Sequence, residues 1–479
     1  MPPLAGRAQE SPLAEQAQEP SPHNTPEDPV LTPHHLLYAL PFFLLACFLL
    51  YWAGARHAYT RRKPTPDGDP AAFDWHFFVP CRDEETVIGA TVTQLRTDFP
   101  AAHVWVVDDD SDDTTAAVVT ALADGDGHVH LVSRRRPDAR IGKGAALNSA
   151  YAALNDFLPA AADRSRAVVC VVDADGRLAP DALARVSGDT GFGDPETGGV
   201  QVSVRMRNVT ERRPLPERGR VANAVARLLV RMQDMEFAVS NAGMQLLRGR
   251  TGSVGLGGNG QFTRLTALDR IAAAERRPWQ RDALLEDYEL GLHMILGGYR
   301  VAHIADTHVS QEGLPRARRF LTQRTRWAQG NLQCVRYAPR IVGSRHYSGR
   351  GVLETLYTFM QPLAHVATLV LSVILLGAVI AGGSMRDAFL GNWPLILVLC
   401  ALSVLPFVAW GPLYRRDFAP DRSRLTGLLW GLALWLYAYH VFIVSARGFL
   451  RLLRGRNGWA KTRRNAEAVG TGQPVATEA

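Results

Sequence analysis

Four apolar segments constrain the fold of this 479-residue chain more than any other feature. They lie at residues 36–55, 354–382, 388–412 and 425–447. A helix needs about 20 apolar residues to cross the hydrocarbon core of a bilayer, and these segments approach or exceed that length. The long stretch between the first and second segments has the composition of a water-soluble protein. The sequence therefore predicts an integral membrane protein with one large soluble domain.

Basic residues next to the first apolar segment indicate the side of the membrane on which the soluble domain lies. Four of them follow it closely: Arg56, Arg61, Arg62 and Lys63. Cytoplasmic loops are enriched in Lys and Arg, so we expect a multi-pass plasma-membrane protein whose soluble domain is cytoplasmic. The C-terminal tail is also basic, yet three full spans after the domain would place it on the opposite side. The sequence leaves the number of spans and the side of this tail open.

Composition divides the chain into five predicted regions. Residues 1–34 hold five acids, one arginine and several prolines, which is typical of a disordered acidic tail. The other regions are a transmembrane helix at 35–55, a soluble domain at 74–340 with interfacial helices towards its end, a membrane region of about three helices at 354–447, and a basic tail at 448–479. The net charge is +7, but no basic cluster is interleaved with exposed aromatic residues in a recognisable nucleic-acid-binding module, so we expect no nucleic-acid partner.

Short apolar runs alternate with helical patterns in the soluble domain. The runs lie at 76–80, 103–109, 128–133 and 167–173, and the helical patterns at 84–97, 112–123 and 143–157. Nearly continuous apolar strands that alternate with helices favour an α/β domain with a mainly parallel sheet. Ligands of such domains bind at the carboxyl ends of the strands. This chain places charged residues there.

A dense cluster of acids follows the second predicted strand, in the segment VVDDDSDDTT at residues 106–115. One acid at this position would cap the next helix, but capping does not account for five. Such a cluster repels itself, so we expect positive or hydrogen-bond-donating partners nearby. Lys143 lies between two glycines at the next helix start, where it suits a phosphate group. An ordinary glycine-rich turn has the same composition.

The segment VVDADGRL, residues 171–178, brings two carboxylates to the end of the fourth predicted strand. Asp173 and Asp175 could serve a turn, a catalytic step or a divalent cation whose remaining ligands are phosphate oxygens. Phosphatases with a nucleophilic aspartate share this spacing. However, Arg177 stands where those enzymes carry Thr or Val.

Two further patterns lie closer to the second apolar segment. Glu286 and Asp287 begin a helical pattern, where acids also interact favourably with the helix dipole. Gln323, Arg326 and Trp327 lie three and four positions apart, so they share one face of a predicted helix. A basic amphipathic helix at the membrane surface would show the same pattern.

The order of these motifs is specific, although each motif alone is weak. An acid cluster, Asp-x-Asp, Glu-Asp and Gln-x-x-Arg-Trp, followed by membrane segments, resembles the family 2 glycosyltransferases. The likeness is greatest to the membrane-embedded branch that includes cellulose, hyaluronan and chitin synthases. It covers about residues 74–340 and implies a nucleotide-diphosphosugar transferase (GT-A type) domain joined to transmembrane α-helices. The gating motif Phe-x-Val-Thr-x-Lys of cellulose synthases is absent from the sequence, which argues against cellulose as the product.

The resemblance implies a role for each matched residue. Asp287 is the expected general base, and Glu286 accompanies it. The residues expected at the donor nucleotide are Pro80, Glu84, Asp108, Asp109, Lys143 and Asp173. Asp173 and Asp175 are expected to hold Mg²⁺ or Mn²⁺ together with the donor diphosphate. Gln323, Arg326 and Trp327 are expected to line the acceptor site and to contact the diphosphate.

The implied reaction is an inverting, metal-dependent transfer of a hexose from a nucleoside diphosphate sugar to an acceptor at the lipid bilayer. The cation and Arg326 would stabilise negative charge on the leaving diphosphate, and Asp287 would take the proton of the attacking hydroxyl. The expected acceptor is a growing β-linked polysaccharide, with coupled export. A non-processive transfer to a membrane lipid is the alternative. A catalytically inactive membrane receptor is a third hypothesis, which the presence of every required charged residue disfavours.

Overall fold

The computed structural model describes residues 33–381 and 385–455. Nearly all of the predicted acidic tail and most of the predicted basic tail therefore lie outside the described residues. The strands are β1 Asp74–Cys81, β2 His103–Asp109, β3 Val129–Arg134, β4 Ala167–Val171, β5 Arg177–Leu178, β6 Thr197–Met206, β7 Gln261–Arg264 and β8 Arg300–Gln311.

The helices include those of the α/β domain and those of the candidate membrane region. In chain order they are α1 Pro33–Thr60, α2 Ile88–Asp98, α3 Thr115–Gly125, α4 Lys143–Phe157, α5 Ala182–Ser187, α6 Arg220–Met235, α7 Ala242–Thr251, α8 Leu265–Glu275, α9 Glu286–Leu296, α10 Ala317–Cys334, α11 Ala338–Val342, α12 Gly349–Ala381, α13 Met385–Val408, α14 Trp410–Phe418, α15 Arg424–Ala438 and α16 His440–Leu453. A π-helical turn, Glu236–Asn241, joins α6 to α7.

The eight strands form one mixed sheet in the order β3-β2-β1-β4-β7-β6-β8-β5. β1 to β4 are the four strands predicted from apolar runs, and they pair in parallel. β7 then enters antiparallel to both β4 and β6, and β5 pairs antiparallel with β8. The predicted α/β class is confirmed. The sheet is parallel in its first half and mixed in its second.

Alternating side chains of the first strands pack on opposite faces of the sheet, as the period of a strand requires. Phe77 and Val79 of β1 join a core with α2 and α3, whereas Phe78 joins a second core with α4, α8 and α9. Because both faces are covered by helices, the strands are apolar along their whole length. This arrangement leaves the carboxyl ends of β1, β2 and β4 at one edge.

Four helical segments of the described residues are long and apolar enough to span a membrane. They are Leu40–Thr60, Gly349–Ala378, Leu390–Phe418 and Arg424–Leu453. Each overlaps one of the four segments predicted from the sequence. The last is divided at Tyr439 into α15 and α16.

The candidate membrane helices pack directly on helices of the α/β domain. α10 lies against α16, α7 against α1, and α6 against α15. Tyr59, Met235 and Trp410 belong to one buried cluster at this junction. Glu354 of α12 accepts hydrogen bonds from Tyr51 of α1 and Arg248 of α7. These contacts join the α/β domain directly to the candidate spans.

Candidate active site

Asp173 follows β4 and lies against the start of α4. Its backbone N–H donates to Asn259 Oδ1, which holds the turn in place. Lys143 Nζ lies 2.5 Å from Asp173 Oδ1, and the carboxylate remains 27 % exposed. Burial alone would lower the pKa of Lys143, but the neighbouring carboxylates, Asp173 first, outweigh it and raise the pKa. The lysine is therefore charged, and it neutralises an accessible carboxylate.

Asp175 lies deeper than Asp173. Its side chain is fully buried, and Asp175 Oδ2 accepts from the backbone N–H of Glu312 at 3.0 Å. Arg207 donates to the Asp175 carbonyl, so both the backbone and the side chain of this residue are held. Of the two predicted metal ligands, Asp173 is the one accessible from solvent.

The acid cluster at the end of β2 is neutralised by arginines at and after the end of β3. Arg134 pairs with Asp109, and Arg135 lies 3.0 Å from Asp108. Two more arginines extend the network: Arg136 and Arg140 both pair with Asp110, and Arg140 also pairs with Asp112. The positive partners expected for this cluster are therefore present. Asp108 and Asp109 are both buried.

Pro80 and Glu84 lie at the end of β1, next to the acid cluster. Pro80 is half-buried and pairs in register with Val107, while the following Cys81 pairs with Asp108. Glu84 is buried, and its backbone N–H donates to Thr115 at the start of α3. The predicted nucleotide residues of β1 and β2 thus lie side by side, as parallel pairing requires.

Glu286 and Asp287 form the first turn of α9, beside Lys143. Glu286 is buried, whereas Asp287 is half-buried and its Oδ1 accepts from the N–H of Tyr288 at 2.7 Å. Burial, followed by the charge of Asp287, raises the pKa of Glu286. Burial also raises the pKa of Asp287, although the positive charge of Lys143 opposes this effect. Carboxyl groups of raised pKa suit proton transfer near neutral pH.

The predicted acceptor motif lies on α10, and its charge reaches the acid pair. Gln323, Arg326 and Trp327 are all half-buried. Arg326 lies close enough to Glu286 and Asp287 to lower the pKa of each. Trp327 packs edge-to-face on Phe237 of the π-helical turn, with ring centroids 6.1 Å apart. Helix α10 therefore connects the acid pair to the membrane-side helices.

An ion pair of the same segment of α10 has no signature in the sequence. Arg324 donates to both carboxylate oxygens of Glu236, and its guanidinium lies 4.3 Å from the Trp327 ring centroid. Tyr437 of α15 also donates to Glu236. The two partners are 88 residues apart, so sequence spacing gave no signal. The run of three arginines that begins at the last residue of β3, by contrast, was a visible signal for the partners of the acid cluster.

The site divides into two adjoining parts. Lys143, Asp173, Asp287 and Glu286 lie together below the glycine-rich loop that contains Gly258, with Arg326 nearby. Glu84, Asp108 and Asp109 form the second part at the ends of β1 and β2. The backbone N–H of Arg140, three residues before Lys143, donates to Asp109 and links the two parts.

The oxygen ligands of the first part fit Mg²⁺ or Mn²⁺. Across residues 33–381 and 385–455, no group of three or more His, Cys, Asp or Glu side chains is arranged to hold a metal ion. Mg²⁺ is commonly bound by one or two carboxylates and completes its shell with substrate phosphates and water. The residues therefore fit a cation that arrives with a diphosphate, with Asp173 as the accessible protein ligand.

The fold is that of the GT-A-type glycosyltransferases. The chain belongs to the glycosyltransferase-like family 2, whose family model matches residues 73–330. A similar solved structure is that of the mannosyltransferase PcManGT from Pyrobaculum calidifontis in complex with GDP-Man and Mn²⁺. The alignment covers 88 % of this chain and 99 % of the PcManGT chain. The TM-score is 0.59 at 17 % identity, so this similarity shows the fold alone.

Similar curated proteins include membrane-lipid enzymes by name. The chain is 32 % identical over 259 residues to the beta-monoglucosyldiacylglycerol synthase of Synechocystis sp.. The aligned stretch covers 53 % of this chain and 47 % of that protein. It is also 26 % identical over 267 residues to the probable glycosyltransferase YdaM of Bacillus subtilis. That alignment covers 54 % of this chain and 55 % of YdaM. The chain thus spans about half the length of the curated relatives it matches.

Proposed function

We propose that the chain transfers a hexose from a nucleoside diphosphate sugar to a membrane lipid, with inversion at the anomeric carbon. The observation that carries this proposal is the convergence of Asp173, Lys143 and the Glu286–Asp287 pair at the carboxyl end of β4. A diphosphate needs cations, and an attacking hydroxyl needs a base. Both kinds of group lie here within one cluster.

The donor side of the reaction falls to Lys143, Asp173 and Arg326. As the bond to the sugar breaks, negative charge develops on the leaving diphosphate, and positive groups fixed near it stabilise the transition state. Lys143 supplies fixed positive charge next to Asp173, and Arg326 supplies it near Asp287. A bound Mg²⁺ or Mn²⁺ would neutralise further charge on the diphosphate. Asp108 and Asp109, held by arginines, are proposed to lie against the nucleoside.

The acceptor side falls to Asp287. Its carboxylate takes the proton of the acceptor hydroxyl as that oxygen attacks the anomeric carbon. The buried Glu286 adjoins it in the chain, and the positive charge of Lys143 favours the ionised form of Asp287 against the effect of burial. A single displacement inverts the anomeric centre, so an α-linked donor gives a β-linked product.

The comparisons favour a lipid acceptor over the polysaccharide expected from the sequence. The relative from Synechocystis sp. is named as the synthase of a glycolipid. The comparisons give no support for the cellulose, hyaluronan and chitin synthase branch. In addition, α10 with Gln323, Arg326 and Trp327 packs on α16, which is part of a candidate membrane span. A lipid hydroxyl at the bilayer surface would lie near this helix. Diacylglycerol is therefore the first acceptor to test.

The test uses the full chain in lipid nanodiscs that contain diacylglycerol. UDP-glucose, UDP-N-acetylglucosamine and GDP-mannose, each with radiolabelled sugar, are supplied separately with Mg²⁺ or Mn²⁺. We expect one donor to give a labelled product of low molecular weight that is extracted into organic solvent. A label that stays in a high-molecular-weight aqueous fraction would overturn the lipid acceptor and restore the polysaccharide synthase.

The matched variants are Asp287→Asn and Asp282→Asn, the same change five residues apart. Asp282 is exposed and precedes α9. We expect Asp287→Asn to lower kcat about 10²- to 10⁴-fold, since this is the usual contribution of a general base, and Asp282→Asn to leave it unchanged. Equal activity of both variants would show that Asp287 is not the base.

A further inference from the structure

A cavity of about 710 Å³ lies between the start of α6 and the loop that precedes it, away from the candidate active site. Its lining is dominated by arginines: Arg212, Arg213, Arg218, Arg220 and Arg227. The buried Asn223 shapes the loop, because its side chain amide bonds the backbone of Leu215, Arg218 and Gly219. The arginines therefore surround a formed concavity.

The positive charge of this region is largely uncompensated by the protein. Within the described residues, Arg212, Arg213, Arg220 and Arg227 form no ion pair with a carboxylate, and Arg227 donates instead to the Arg212 carbonyl. The acids nearby are Glu211 and Glu217. Glu217 is already paired with Arg316 at 2.5 Å. An anionic ligand is the chemistry that this charge distribution fits.

An apolar stripe on α6 borders the same cavity. Val221, Val225 and Leu228 are 79 %, 62 % and 44 % exposed, and they lie at positions i, i+4 and i+7 of one helix face. Exposed apolar residues flanked by arginines are the pattern of a helix that lies in the interface of a bilayer. Exposure of these apolar side chains to water is unfavourable, so this face is expected to have an apolar partner.

The position of α6 next to the membrane spans indicates which surface the stripe meets. A second cavity shares Arg212, Ala224 and Arg227 with the first and is also lined by Arg422 and Trp430. Arg422 lies in the loop before α15, and Trp430 lies within the span formed by α15 and α16. The guanidinium of Arg231 lies 4.5 Å from the Trp430 ring centroid. The arginines therefore lie beside the first turns of this candidate span.

We infer that α6 and residues 209–219 form a binding site for the phosphate of an anionic phospholipid, with Val221, Val225 and Leu228 inserted among its acyl chains. Arg212 and Arg227, which line both cavities, hold the phosphate. The site does not depend on which sugar or acceptor the enzyme uses.

The test measures lipid binding to the full chain in detergent by native mass spectrometry, with three probes. These are dioctanoyl phosphatidylglycerol, dioctanoyl phosphatidylcholine and inorganic phosphate. The variants are Arg212→Gln/Arg227→Gln, the charge-keeping Arg212→Lys/Arg227→Lys, and Arg276→Gln/Arg277→Gln. The last pair lies in the loop after α8 and removes the same charge elsewhere.

We expect phosphatidylglycerol to bind more tightly than either other probe, and the Arg212→Gln/Arg227→Gln variant to weaken it about tenfold. The lysine variant should retain most of the binding, and the Arg276→Gln/Arg277→Gln variant all of it. Equal binding of phosphatidylcholine, or equal losses in the two glutamine variants, would overturn the proposal. Binding of inorganic phosphate as tight as that of the lipid would also overturn it.

Discussion

Lys143 Nζ lies 2.5 Å from Asp173 Oδ1, across 30 residues of chain, and also donates to the Gly258 carbonyl. A Cβ added to Gly258 would lie 3.1 Å from both Lys143 Nζ and Asp287 Oδ2. The glycine therefore lets the loop approach both charged groups. Through this contact one lysine connects the residue proposed to hold the donor with the residue proposed as base.

Removal of the Lys143 charge should impair both halves of the reaction. In Lys143→Met, Asp173 loses its ion-pair partner and the diphosphate loses a fixed cation, so we expect kcat/KM to fall about 100-fold. The measurement is initial rate against donor concentration. Lys63→Met, an exposed lysine after α1, is the matched control and should behave as wild type. Equal rates for the two variants would contradict the role given to Lys143.

The pH profile should show an acidic limb above the range of an ordinary carboxyl group. Because burial raises the pKa of Asp287, this base stays protonated to a higher pH, and kcat/KM should rise as the pH rises through that raised pKa. In Arg326→Gln the limb should move to still higher pH, since the Arg326 charge lowers that pKa. Arg318→Gln, exposed on the same helix, should leave the limb in place. A limb that moves to lower pH in Arg326→Gln would refute this assignment.

The ion pair of Arg324 with Glu236 should matter for stability. Arg324 is 7 % exposed, so Arg324→Met leaves Glu236 without its cation in a partly buried position. We expect a loss of roughly 3 kcal/mol, which is the usual cost of breaking such a pair. Thermal unfolding in detergent measures it, with Arg318→Met as control. If Arg324→Met loses no more stability than the control, then Tyr437 and solvent are enough to stabilise the Glu236 carboxylate.

A stack of histidines across β1, β2 and β3 should make the domain sensitive to acid. Burial lowers the pKa of His76 to about 3, and burial followed by the charge of His130 lowers that of His103 to about 4. Below pH 6.5 these histidines bind protons in the unfolded chain but stay neutral in the folded chain. The free energy of unfolding therefore falls as the pH falls. For His76 alone, this amounts to about 2 kcal/mol at pH 5.

The measurement is the difference in Tm between pH 7.5 and pH 5. His76→Phe should reduce this difference, whereas His346→Asn, at an exposed position, should not. A His76→Phe variant with the same acid sensitivity as wild type would mean that other groups cause the loss.

The sequence predicted the half of the sheet whose strands are buried on both faces. β1 to β4 are continuous apolar runs, and their boundaries agree with the structure to within a few residues. β7 was missed because its fully buried residues include Gln261 and Thr263, which give no apolar pattern. Its insertion between β4 and β6 joins segments about 90 and 60 residues apart in the chain, and no local signal encodes such pairings.

The charged residues of the site were predictable, whereas their partners were only partly so. The density of acids after β2 required cations, and Arg134 and Arg135 supply them from the next strand. The pair of Arg324 and Glu236 depends on a π-helical turn, whose extra residue per turn changes which side chains face α10. Hydrophobic periodicity carries no information on such a turn. The separation of an accessible Asp173 from a buried Asp175 likewise depends on the Glu312 backbone.

Metal dependence should follow Asp173 more closely than Asp175. Because Asp173 is accessible from solvent, we expect Asp173→Asn to abolish the effect of Mn²⁺ on UDP binding. Asp175 is buried and accepts from the Glu312 N–H. In Asp175→Asn the buried hydrogen bond weakens, so Tm should fall as well. Isothermal titration with UDP, with and without EDTA, measures the first effect without turnover, and Asp189→Asn is the exposed control. If Asp173→Asn binds UDP with unchanged dependence on Mn²⁺, the cation is held by other residues and the donor site proposed here is wrong.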